Sequence, residues 1–203
     1  MTDDEAVNLV QESISFFDQG VFPGNTLPFT IINGPPVDGH SNFNFCFDRE
    51  NGSNYLLYRV GASEKVASHL QLKHLVKDKD CSRYELENPG PNYTLEMAIA
   101  DIGGHEVRHR LQFEDQNLRR FSVVKARKIP ALKFLTKWAA PTIPAAINTQ
   151  CYDAFEFDAF VIECLIAHEH RRGRTDPANL FSVVKLTPSQ CLECEPFKSR
   201  YGR

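Results

Sequence analysis

Apolar residues first recur at helical spacing. Val7, Val10, Ile14 and Phe17 lie three or four positions apart, behind Thr2 and Glu5 at capping-box spacing, and predict an amphipathic helix running to Gly20. LPFTII, 27–32, reads as a short buried strand closed by the turn residues Asn33-Gly34-Pro35-Pro36. The pattern then changes to a period of two. Asn51-Gly52 is a strong two-residue hairpin signal, and folding about it sets Phe47 against Leu56, Phe45 against Tyr58 and Phe43 against Val60 on one face. The other face then pairs Asp48 with Tyr55, Cys46 with Leu57 and Asn44 with Arg59.

Ser63 is placed to cap a helix reaching about Lys77, with Val66, Leu70 and Leu75/Val76 on its buried side; a polar loop over 78–92 follows. Residues 93–115 read as a hairpin turning at Gly103-Gly104-His105, which pairs Leu95 with Phe113, Met97 with Leu111 and Ile99 with His109. The alternative is a helix carrying Leu95, Ala98, Ile99 and Ile102 up to a glycine stop. Residues 119–138 read as a strand, a break at Pro130 and a helical turn or two. Asp153 and Glu156, again at capping-box spacing, open a helix that ends at Gly173, and Pro177 starts a short helix stopped at Thr187-Pro188. The expected class is α+β, a mixed or antiparallel sheet with an N-terminal helix and C-terminal helices, in a single domain whose helical section begins near 153.

Composition adds an asymmetry. The net charge of −3 divides into −7 over residues 1–100 and +4 over the remainder. Between 105 and 137, nine basic residues face three acidic ones, so Arg119, Arg120, Lys125 and Lys128 are candidate phosphate contacts. The acidic start MTDDEAVN does not resemble a signal peptide, and no apolar run approaches the roughly 18 residues needed to span a bilayer. An intracellular protein, cytoplasmic or nuclear and not bound to a membrane, is expected. The six cysteines are too sparse and irregular for a disulfide scaffold.

The order of elements, with IINGPP as a glycine turn, NFNFCFDRE as an acidic strand, AIADIGG supplying a third acid and KIPALKFLTKW leading to the helical end, resembles the nucleotidyltransferase-fold superfamily. That resemblance implies a metal-dependent nucleotidyl transfer in which carboxylates clamp divalent ions, with Asp48, Glu50 and Asp101 in the catalytic positions, Asp48 and Asp101 as metal ligands, and Mg²⁺ as the cofactor of an active protein. Asn42 and Asn44 occupy the family's paired-acid spacing and Pro35 follows the glycine, so the resemblance is to a degenerate member that binds a nucleotide or nucleic-acid phosphate. A non-catalytic α+β domain that binds a protein partner is the alternative.

Cys191 and Cys194, a C-x-x-C, with one of His168 and His170, form a minor zinc candidate; zinc is not the expected cofactor. G-x-x-x-x-G-K-[ST], G-x-S-x-G and H-E-x-x-H are all taken to be absent, which leaves P-loop, serine-hydrolase and zincin readings without a foothold.

Overall fold

The computed structural model describes residues 1–37, 41–48, 52–71, 74–77, 83–87, 93–115 and 147–194, with side chains left out at some of these, notably 47, 48, 52, 74–77, 83–87 and 147–157. The class is α+β. Helix α1, Asp3–Val21, begins at the expected capping box between Thr2 and Glu5 and buries Val7, Val10, Ile14 and Phe17. It runs through Gly20, where a Cβ would overlap the ring of Phe181. Glycine is needed there so that a C-terminal helix can lie against α1.

Strands β1 (Phe29–Ile32), β2 (Phe43–Asp48) and β3 (Gly52–Tyr58) form one sheet in the order β1-β3-β2, with β1 parallel and β2 antiparallel to the central β3. Strand β1 is an edge with Thr30 and Ile31 exposed, and not the buried strand its apolar run predicts. The hairpin between β2 and β3 is present in a different register: Phe43 faces Leu57, Phe45 faces Tyr55 and Phe47 faces Ser53. The ladder closes at Asp48 and Gly52, so Gly52 belongs to the strand and the two-residue turn is not used. The difference from the expected register is three residues. Because side chains alternate with period two, an odd shift turns β3 over. Tyr55 and Leu57 therefore face the core, both fully buried, while Val60 is exposed. The reason is tertiary: Tyr55 stacks on Phe29, meets Phe45 edge-on and donates its hydroxyl to Asp18 of α1 at 2.7 Å.

Helix α2, Ala62–Gln71, stops well before the expected Lys77, and its cap is borrowed. Asp3 of α1 accepts from the backbone N–H groups of Gly61 (3.2 Å) and Ser63 (2.9 Å) and from the Ser63 hydroxyl (2.6 Å). Residues His74–Lys77 form β4, antiparallel to β5, Arg83–Glu87, where a helix end and a polar loop were expected.

The largest correction concerns 93–115. Helix α3, Leu95–Glu114, is continuous through Gly103 and Gly104, with Thr94 accepting from Met97 N–H at its N-cap. The two glycines are contact points. A Cβ on Gly103 would overlap the Ser13 hydroxyl of α1, and one on Gly104 would overlap the end of Ile166 on the helix across from it. α3 is thus the central helix, packed against α1, α2, β2 and the C-terminal helices, and buried nearly all round. The alternation of HEVRHRLQF, which suggests a strand, instead reflects polar groups buried on several faces.

Helix α4, Ile147–Arg171, is followed by Gly173 at φ +69°; α5, Pro177–Val184, is capped by Asp176, and α6, Pro188–Glu193, by Thr187. The end before Gly173 and the Pro177 start agree with the helix signals, but α4 begins six residues before the expected Asp153, which lies inside it, and the expected stop at Thr187-Pro188 opens α6 instead. The expected strand, break and helical turn of 119–138 lie outside the described residues. Among the described residues, no helix is long and apolar enough to cross a membrane.

Candidate functional site

Residues 105–109 read His-Glu-Val-Arg-His, an H-E-x-x-H, which the hairpin reading splits between a turn and a strand. The expectation that no zincin signature occurs in the chain is therefore wrong. On a continuous α3 the two histidines are four residues apart and lie on one face, one turn above the other. They edge a cleft of about 220 Å³ between α2, α3, α4 and the start of β2, whose walls include Phe43, Lys65, His69, Glu106, Phe160 and Glu163.

Each ring is oriented by its Nδ1. His105 Nδ1 is 3.1 Å from Glu163 Oε2 of α4, and His109 Nδ1 is 3.0 Å from the side-chain oxygen of Gln112. Both partners are acceptors there, so each Nδ1 donates, and in a neutral ring Nε2 then presents a lone pair. The two Nε2 atoms stand 3.0 Å apart. Two lone pairs at that separation repel unless a cation, either a proton or a metal ion, lies between them.

Glu163 has a second imidazole on its other oxygen: His69 Nε2, from α2, is 2.9 Å from Oε1. Burial alone would raise the Glu163 carboxyl, but His105 and His69 together hold it well below the ordinary carboxylate range. Glu106, the residue between the two histidines in the motif, lines the same cleft and accepts from the backbone N–H of Phe45 at 2.8 Å, which ties α3 to β2.

Below the histidines lies a second buried group. Arg108 is fully buried and grips Asp158 of α4 through Nε (2.6 Å) and Nη2 (2.9 Å), while its Nη1 donates to the carbonyls of Val184 and Leu186 at 2.7 Å each. Burial opposes its charge and Asp158 more than offsets that, so the guanidinium is held above its usual value. Gln112 donates to the same Asp158 at 2.7 Å.

Of the acids implied by the nucleotidyltransferase resemblance, Asp101 lies on α3 and not on a strand. It is wholly buried and accepts from the Tyr93 hydroxyl, and burial raises its carboxyl well above the ordinary value. Asp48 ends β2, with its backbone opposite Gly52. Its side chain, together with Glu50, Arg119, Arg120, Lys125 and Lys128, lies outside the described residues. Cys191 is buried on α6 and its thiol is pushed up to about 12 by burial, and among the described residues no group of three or more His, Cys, Asp or Glu gathers as a complete metal-ligand set. At the cleft the described residues bring two imidazoles together.

Sequence reasoning missed His69, His105, Glu106, His109 and Glu163. The motif itself was legible at 105–109; His69 and Glu163 carry no local signal. No family model, curated protein or solved structure matches the chain.

Proposed function

We propose that this protein is a metal-dependent hydrolase whose ion, zinc by the softness of its ligands, is held by Nε2 of His105 and His109, with Glu106 as general base. The observation that carries this reading is the pair of Nε2 atoms 3.0 Å apart, each with its Nδ1 turned to an acceptor. Imidazoles that bind metal use this arrangement, in which the outer nitrogen's hydrogen bond fixes the tautomer. Held by His105 and His109, such an ion would supply Lewis acidity to an acyl substrate and to the attacking water. Glu106 takes the proton of that water as its oxygen adds to the carbonyl carbon, and returns it to the leaving nitrogen or oxygen as the acyl bond breaks. Phe43 and Phe160 give the cleft apolar walls beside the two histidines.

Nucleotide or nucleic-acid binding through Asp48, Glu50 and the basic segment, and docking of a protein partner, are readings of the sequence alone, and the described side chains add nothing to either. The test is to strip the protein with a chelator, add back Zn²⁺, and measure metal content and hydrolysis of a mixed fluorogenic peptide and ester panel. The expected result is about one zinc per chain, lost in His105→Ala and His109→Ala. Glu106→Gln should retain zinc and lose hydrolysis. Zinc uptake unchanged by both histidine substitutions would refute the site.

A further inference from the structure

The metal reading leaves unexplained why Arg108, a full charge, is buried completely beneath the site. We infer that Arg108, Asp158 and Gln112 form a positioning relay that fixes the tautomer of His109 and so sets the affinity of the centre; the inference rests on the metal reading above.

A side-chain amide can present either its oxygen or its nitrogen, and Gln112 left alone could offer His109 either one. Asp158 removes the choice. Its carboxylate only accepts, and it takes the Gln112 nitrogen at 2.7 Å, which turns the Gln112 oxygen to His109 Nδ1. Asp158 in turn cannot swing away, because Arg108 holds both its oxygens. The guanidinium plane is itself fixed by two further bonds, to the carbonyls of Val184 at the end of α5 and of Leu186 just beyond it. A chain of directed bonds therefore runs from the backbone after α5 to the ring of His109, with every donor facing an acceptor. Reverse the amide and Gln112 would present N–H to Nδ1, the ring proton would move to Nε2, and a donor would point at the metal position.

The two ligands are thus set by different devices. His105 has a carboxylate, Glu163, braced by His69. His109 has a neutral amide made directional from behind. None of the three relay residues is a candidate ligand, so their removal should weaken the metal without deleting a ligating atom.

Two measurements on the full chain test this. Zinc affinity is read by competition with a chromophoric chelator, and the His109 tautomer in metal-free protein is read from its side-chain nitrogen resonances, assigned with His109→Gln. We expect the wild-type His109 proton on Nδ1. Gln112→Met should bind zinc about 10- to 100-fold more weakly, the usual consequence of losing an outer partner, and should no longer show a fixed Nδ1 proton. Asp158→Asn, which lets the amide turn, should shift the proton towards Nε2. A folded Gln112→Met whose affinity stays within about twofold of wild type would overturn the relay. So would a wild-type His109 protonated on Nε2, a result that needs no variant to fold. A wild-type chain that takes up no zinc overturns the metal reading alone, because the nitrogen resonances still decide the tautomer.

Discussion

Replacing Gly103 and Gly104 separately by alanine probes the packing of α3 at two adjacent positions for which helix propensity alone gives the same answer. Each substitution gains about 1 kcal/mol of intrinsic helix stability. At Gly103 the added Cβ would overlap the Ser13 hydroxyl and lie 2.9 Å from the Ser13 carbonyl carbon, so the backbone of α1 must move. Overpacking of that kind costs about 1–3 kcal/mol. The same displacement strains the 2.8 Å bond from the Ser13 hydroxyl to the Ile99 carbonyl, worth about 1 kcal/mol. The balance is a loss of about 1–3 kcal/mol. At Gly104 the close atom is the terminal Cδ1 of Ile166, and the next Ile166 atom is already at 3.6 Å. A side-chain torsion can relieve this for about 0.5–1.5 kcal/mol, which leaves Gly104→Ala near neutral. Urea unfolding followed by circular dichroism, with m unchanged between variants, measures both. For a chain of this length each kcal/mol should also move Tm by about 2–4 °C. A Gly103→Ala protein that gains the full propensity term would show that α1 and α3 do not meet there, and equal losses at both positions would favour a turn over a helix.

Three further outcomes follow from the buried polar groups. Asp18 accepts from the Tyr55 hydroxyl, the Leu27 N–H and Arg110, whose guanidinium also lies 3.9 Å over the ring of Phe22; Asp18→Ala leaves that buried cation with one of its two carboxylate partners and should cost about 3–5 kcal/mol. A loss below about 1 kcal/mol in a chemical-denaturation series would mean that Glu114 alone suffices for Arg110. Asp101 has its folded pKa raised by burial, so its contribution is fully present below about pH 4 and is lost as pH rises through the raised value. Asp101→Asn, which can still accept from Tyr93, should therefore raise Tm at pH 7 with the gain shrinking towards pH 4, and a lower Tm at pH 7 would refute the assignment. Cys191, buried and with its thiol pushed up to about 12, should resist iodoacetamide at pH 8 in the native protein and react after denaturation, as peptide mass analysis would show.

Local pattern was enough wherever an element depends on its own residues. The capping box at Thr2 and Glu5, the apolar stripe of α1, the helix ending before Gly173 and the Pro-initiated α5 were all legible, because caps and 3.6-residue periodicity act within a turn or two of chain. The class, α+β, followed from these and from the alternation of β2 and β3. Register did not. The choice between Tyr55 and Tyr58 opposite Phe45 depends on Asp18, 37 residues away from Tyr55 in sequence, and no turn signal encodes that bond.

Residues 93–115 show the limit most clearly. Two glycines in succession favour a turn on local grounds, and only their contacts with Ser13 and Ile166 make them interior helix positions. Once α3 is helical, a pentapeptide visible in the sequence becomes a pair of facing imidazoles, since the same five residues on a strand would spread His105 and His109 far along its length. The sequence by itself determined the caps and apolar stripes of α1 and α5, which act within a turn or two of chain. The tertiary structure alone decided that His69 and Glu163, from two other helices, close on the H-E-x-x-H, because polar contacts between distant segments leave no periodicity in the chain that makes them.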